Sequence, residues 1–190
     1  MNNVKHLTHA MVESVQKGDY SMGILSGNPK EEPLHYGEVF GAWSFVATNK
    51  GLISLYQGFI NHAGDGDLKK LLDEAVHDMK LENEKVEELL KTHGIGLPPS
   101  PPERPDANTE DIPVGARFMD PEISMILSAN VAQGLVAIAG MVGQCIREDI
   151  ALMFGQFSVN KAQFGAKLLR LNKQKGWIIP PPLHLNSPNA

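Results

Sequence analysis

The sequence predicts an all-α fold: an antiparallel four-helix bundle with a long Pro-rich crossover between helices 2 and 3. Two observations carry this. Residues 94–99 read Gly-Ile-Gly-Leu-Pro-Pro and residues 176–181 read Gly-Trp-Ile-Ile-Pro-Pro. Each follows a long charged run with a Leu-Leu pair and lysine in its last turns (Leu89, Leu90, Lys91; Leu168, Leu169, Lys173, Lys175). Glycine just past a helix, followed by prolines, is a helix stop. Two such stops suggest two copies of one helical hairpin.

The elements follow in order. Residues 1–32 are polar and broken by Gly18, Gly23, Gly27 and Pro29. They form an N-terminal arm in which a short helix over about Val4–Gln16 places Val4, Leu7, Met11 and Val15 on one face. Helix 1 is expected over 33–63, with Pro33 in its first turn. Leu34, Ala42, Phe45, Leu52, Tyr56, Phe59 and Ala63 give it helical periodicity. Ala63-Gly-Asp-Gly-Asp67 is a tight turn, with Asp65 or Asp67 as N-cap of helix 2. Helix 2, over 67–93, is the most amphipathic, with Leu68, Leu72, Ala75, Met79, Val86 and Leu90 in one stripe. The short turn forces helices 1 and 2 antiparallel.

Residues 94–121 hold seven of the chain's 13 prolines, the last opening helix 3. So long a connection suits a crossover that travels the whole bundle. Helix 3 is expected over 121–146 and helix 4 over 149–175, separated by Arg147-Glu148-Asp149. Residues 181–190 form a C-terminal tail, ahead of which Trp177 and Ile178 are expected to pack back on the bundle. The bundle proper therefore spans 33–180. Ile123 to Ile146 carries no charged side chain and is long enough to span a bilayer. Its Ser124, Ser128, Asn130, Gln133 and Gln144 favour a fully buried central helix of a soluble bundle, so no membrane insertion is expected.

Composition narrows the function classes. The formal net charge is -5, with 17 Lys and Arg against 22 Asp and Glu, which argues for no nucleic-acid partner. The single Cys145 allows neither an intrachain disulfide nor a thiolate metal cage. Residues 1–10 lack an apolar secretory core, so the expected compartment is the cytoplasm. There is no phosphate loop, no Gly-x-Ser-x-Gly and no Cys-x-x-Cys.

A four-helix bundle with one long crossover has ferritin-like connectivity, a fold that can hold two metals with Glu and Glu-x-x-His ligands. The chain has one Glu-x-x-His, Glu74-Ala-Val-His77. At about 100° per residue His77 lies opposite the apolar stripe of helix 2. It also falls beside Gly51–Ser54, about 24 Å from the inward carboxylate Glu38. Helix 4 has no histidine. The motif therefore reads as a surface accident.

Glu38 and Asn49 on helix 1, and Glu82 and His93 on helix 2, do fall on inward stripes. Glu38 pairs in height with Leu90–Thr92, so Glu38, His35 and His93 can meet at one bundle end. Glu38, Glu82, His93 and His35 are the candidates for a polar pocket or single metal site. The blander account, which is preferred, is that they sit at stripe edges or fix helix register through hydrogen bonds, and a cationic His93 suits a helix C-terminus. Phe40 and Trp43 project away from the main stripe of helix 1, as a partner surface or as a face covered by the arm or tail.

Four segments together resemble a family: Leu34-His-Tyr-Gly-Glu-Val-Phe40, Gly64-Asp-Gly-Asp-Leu-Lys-Lys-Leu-Leu72, Glu88-Leu-Leu-Lys-Thr-His-Gly-Ile-Gly-Leu-Pro98 and Lys175-Gly-Trp-Ile-Ile-Pro-Pro-Pro182. The chain resembles, over about residues 33–180, the uncharacterised ferritin-like helical proteins of spore-forming bacilli related to spore coat protein F. The resemblance implies a ferritin-like bundle with a link to the spore coat and supplies no catalytic residues. The function expected is a non-enzymatic structural or interaction protein without cofactor, forming a homo-oligomer or binding other coat proteins. The alternative is a ferritin-like protein that binds iron or manganese and carries redox activity.

Overall fold

A computed structural model describes residues 32–182 and residue 184. The arm helix expected over Val4–Gln16 and most of the tail lie outside the described residues. Among the described residues four long helices make up the fold: α1 (Tyr36–His62), α2 (Gly66–Thr92), α3 (Asp120–Gln144) and α4 (Glu148–Lys175). Among the described residues there is no strand.

Local chemistry sets the helix ends. Helix α1 starts three residues after Pro33, because His35 is a better cap. The His35 Nδ1 accepts the Gly37 N–H at 2.9 Å, and Glu38 Oε2 accepts the His35 N–H at 3.2 Å. That reciprocal arrangement is a capping box. Asp65 caps α2 by accepting the N–H groups of Asp67 and Leu68. Glu122 accepts the Met119 N–H at the start of α3, where Pro121 occupies the first turn. Both stops take one form. Gly94 and Gly176 have φ of 71° and 70°. The Ile95 N–H bonds the Leu90 carbonyl and the Trp177 N–H bonds the Asn172 carbonyl, each at 2.9 Å. These are left-handed glycine caps that satisfy otherwise orphaned carbonyls.

Helix α1 pairs with α2 and α3 with α4; α1 also lies against α3, and α2 against α4. The core forms two clusters. One centres on Tyr56, Phe59, Leu68, Leu72, Leu127 and Leu168 near the α1–α2 turn. The other centres on Val46, Val86, Leu90, Ile138, Phe154 and Phe157 near the α3–α4 turn. In the latter, Phe45 stacks on Phe157 and Phe154 meets both edge-on, with ring centroids 5.2–5.6 Å apart.

The crossover runs the length of α1 as a strap. Trp43 Nε1 donates to the Gly96 carbonyl, Lys50 to that of Pro98, and Asn61 Nδ2 to that of Pro105. Arg104 Nε donates to the Ser54 carbonyl, and the Phe118 N–H to His62 Nδ1. These bonds let α1 supply the polar partners that a proline-rich segment cannot supply to itself.

One expectation needs correction. Helix α3 is not fully buried: of its residues only Ile123, Ser124, Leu127, Ile138 and Met141 are. Its uncharged character does not come from burial within the chain, because α3 sits at a corner of the bundle and keeps an outward face.

Candidate functional site

Among the described residues, buried polar side chains gather at three places, the smallest being the pair Ser124 and Asn172 between the start of α3 and the end of α4, where the Ser124 hydroxyl donates to Asn172 Oδ1. The first is the bundle end where α1 starts, α2 stops and α3 turns into α4. Glu38 is fully buried there. Its Oε1 accepts the backbone N–H groups of Ile146 and Arg147 at 2.9 and 3.0 Å. Its Oε2 holds the His35 N–H. His35 Nε2 donates to the Gln144 carbonyl at 2.9 Å.

Beside it lies Arg147, 2% exposed. Its Nε and Nη2 donate to Asp149 at 3.1 and 2.8 Å, a bidentate pair. Its Nη1 donates to the Glu32 carbonyl and to His93 Nε2, both at 2.9 Å. With Nε2 accepting, His93 carries its proton on Nδ1, which donates to the Leu89 carbonyl at 2.8 Å. The Arg147 guanidinium holds the Asp149 carboxyl below the usual carboxylate range, and Asp149 raises Arg147 in turn. Burial raises the nearby Cys145 thiol, helped by the charges of Glu38 and Asp149.

The structure thus brings His35, Glu38 and His93 to one end. It adds Arg147 and Asp149, which sequence reasoning treated only as a break between helices. A signal was available: Arg147 is the one Lys or Arg between Arg117 and Lys161. A lone cation between two apolar runs has to find a buried acceptor or reach water.

The second place is a polar layer between the two core clusters. Glu82, 6% exposed, sits with buried Asn49 and Asn83. Glu82 Oε2, Asn49 Nδ2 and Asn83 Oδ1 have no hydrogen-bond partner among the described residues. A cavity of about 30 Å³ opens beside Glu82, lined by Tyr56, Asp78, Asn130 and Lys161 among others. Tyr56 Oη accepts from Asn130 Nδ2 at 3.2 Å. Burial pushes the Glu82 carboxyl above the ordinary carboxylate range, partly opposed by the charge of Lys161. Glu82 is therefore remote from the cluster at the bundle end.

A model of the DUF3231 family, described as a protein of unknown function, matches residues 22–189. The chain belongs to that family. A relative within reach is the uncharacterised protein YvdQ of Bacillus subtilis (strain 168), 56% identical over 164 residues, or 86% of this chain and 96% of that one. A crystal structure from Bacillus halodurans C-125, of a protein provisionally named for the spore coat, is 61% identical. It covers 84% of this chain and all of its own, with a TM-score of 0.83. More distantly, a two-domain protein of Anabaena variabilis with DJ-1/ThiJ/PfpI-like and ferritin-like domains matches 80% of this chain and 41% of its own. At 12% identity and a TM-score of 0.58 it speaks to fold alone. The DUF3231 chain is a ferritin-like helical bundle.

That fold raises the question of a metal centre, and the residues present do not fit one. A ferritin-like pair of metals needs carboxylates from facing helices with Glu-x-x-His pairs. Here His77 is exposed on α2 and Glu74 pairs with Lys167. Glu82 faces asparagines and a lysine. Among the described residues no three of His, Cys, Asp and Glu cluster in a way that could hold a metal ion. At the bundle end, Glu38 already accepts three backbone N–H groups, and both ring nitrogens of His35 and His93 have partners.

Phe40 is 72% exposed and Trp43 37%. The crossover covers part of Trp43 through its bond to Gly96. Phe40 stays open beside Tyr36, itself 95% exposed.

Proposed function

We propose that this DUF3231 chain is a non-enzymatic structural protein of the spore coat, made in the cytoplasm and assembled with itself and with other coat proteins. The observation that carries the proposal is the use to which its chemically able side chains are put. Glu38, His35, His93, Arg147 and Asp149 spend their polar atoms on fixing helix ends to one another. A site built for catalysis keeps such groups free to meet a substrate. The 61% identity to the Bacillus halodurans protein named for the coat supports the location.

The test is fractionation. A fluorescent fusion expressed from the native locus of the source organism is expected in the spore coat extract. A fusion that stays in the soluble cytoplasmic fraction throughout sporulation overturns the location. The rival, an iron- or manganese-binding redox protein, is met by metal analysis of untagged protein. Stoichiometric iron or manganese, lost on Glu38→Ala or Glu82→Ala, would replace the structural assignment.

A further inference from the structure

Helix α3 has no charge from Ile123 to Ile146, and α4 has only Lys161 between Ile150 and Ala166. Exposed on α3, at alternating spacings of four and three, stand Met125, Ala129, Ala132, Val136, Ala139 and Gly143. On α4 the matching stripe is Leu152, Gly155, Val159, Ala162, Ala166 and Leu169, all exposed except the half-buried Gly155. Met125 and Leu169 line one groove, so both stripes lie on the same outer side of the α3–α4 hairpin. A 3-4 spacing of uncharged residues is the seam of a helix–helix contact. Alanine and glycine on such a seam let a second helix come close.

The stripes are self-complementary. About a point between Asn160 and Lys161, Leu152 matches Leu169, Gly155 matches Ala166, and Val159 matches Ala162. About Gly134, Met125 matches Gly143 and Ala129 matches Ala139. These two centres lie at one height. A Cβ on Gly134 would meet the Lys161 side chain at 2.8 Å, and one on Gly165 would meet Val131 at 2.9 Å. A single two-fold axis can therefore serve both helices, as a closed dimer requires. The same axis places exposed Glu148 of one copy opposite exposed Lys173 of the other.

The area suffices. Helices of 25 and 28 residues, about 37–42 Å long and about 10 Å apart, present about 700 Å². A standard interface takes about 800 Å² from each partner. A membrane surface is the poorer match, since seven of the twelve stripe residues are Ala or Gly, where helices that bind bilayers carry mostly Leu, Phe or Trp.

We propose that this face binds a second copy of the chain, α4 against α4 and α3 against α3, each pair antiparallel. It names the surface for the self-association in the proposed function and does not depend on the coat location.

Sedimentation equilibrium of the full chain at about 10 µM, a concentration at which interfaces of this size associate, is expected to give twice the 20.7 kDa chain mass. Ala166→Glu, at an exposed helical position, is expected to raise the dimer dissociation constant about 30-fold or more while circular dichroism keeps its helical signal. Glu148→Lys is expected to weaken the dimer, and Glu148→Lys with Lys173→Glu to restore it. A chain that stays monomeric, or a dimer indifferent to Ala166→Glu, overturns the proposal. So does a monomer that binds vesicles of phosphatidylglycerol and phosphatidylcholine and is released by Ala166→Glu. A dimer absent from coat extracts keeps this interface and sinks the coat location; a monomer found in the coat does the reverse.

Discussion

The Oε1 atom of Glu38 accepts the backbone N–H groups of both Ile146 and Arg147, across 108 and 109 residues of chain. One carboxylate at the start of α1 thereby holds the turn that joins α3 to α4. It satisfies two backbone donors in the turn just before α4, of which that of Arg147 is buried. The remaining oxygen caps α1 itself.

Glu38→Ala leaves three N–H groups without their acceptor. A loss of about 3 kcal/mol or more is expected, a fall in Tm of roughly 6–12 °C. Thermal unfolding followed by circular dichroism measures it. A fall of under about 2 °C would mean that the turn is held by packing alone.

Arg147→Ala removes a buried cation from Asp149, His93 and the Glu32 carbonyl. Asp149 is 35% exposed and can regain water, so the expected cost is about 2–3 kcal/mol, below that of a fully buried pair. Arg147→Lys keeps the charge but not the bidentate geometry, and is expected to recover under half of the loss. Urea unfolding of the two variants compares them directly.

Glu82 has its pKa raised by burial, so the folded state binds its proton more tightly than the unfolded state does. Between the unfolded and the folded pKa the folded state holds more protons, and stability falls as pH rises. Below the unfolded pKa both states are protonated and the penalty vanishes. Glu82→Gln is therefore expected to raise Tm at pH 7 and to change it much less at pH 4. Equal increments at both values would show that the ionised carboxylate carries no penalty.

Gly94 and Gly176 both need left-handed φ, which costs other residues about 1 kcal/mol. Gly94→Ala and Gly176→Ala are each expected to destabilise by about that amount. The glycines cap opposite ends of the bundle, so the double variant is expected to show the sum within about 0.5 kcal/mol. A double variant well outside that sum would show the two stops to be coupled through the helices.

His77 is exposed, and Glu74 makes a surface pair with Lys167. His77→Gln is expected to shift stability by less than about 0.5 kcal/mol. A larger loss of stability, or metal content that depends on His77, would restore the Glu-x-x-His motif to importance.

Much of this architecture was legible in the chain. The 3.6-residue periodicity marked α1, α2 and α4, and the two glycine stops marked where α2 and α4 end. Counting outward from the short turn at Gly64–Gly66 placed Glu38, His35 and His93 at one end, because an antiparallel hairpin fixes the height of every residue. Expected helix starts erred by one to three residues: His35 outcompeted Pro33 as a cap, and capping is decided by side-chain geometry.

The sequence by itself determined the four helices, their pairing and the outward direction of His77, since periodicity and turn length are local properties. Only the tertiary structure decided the partners of Arg147 and the exposure of α3. Arg147 meets Glu32 and His93, 115 and 54 residues away, through contacts that no local rule connects. An uncharged helix reads the same whether its faces meet its own chain or a second one, because composition records the absence of water and not the identity of the neighbour that excludes it.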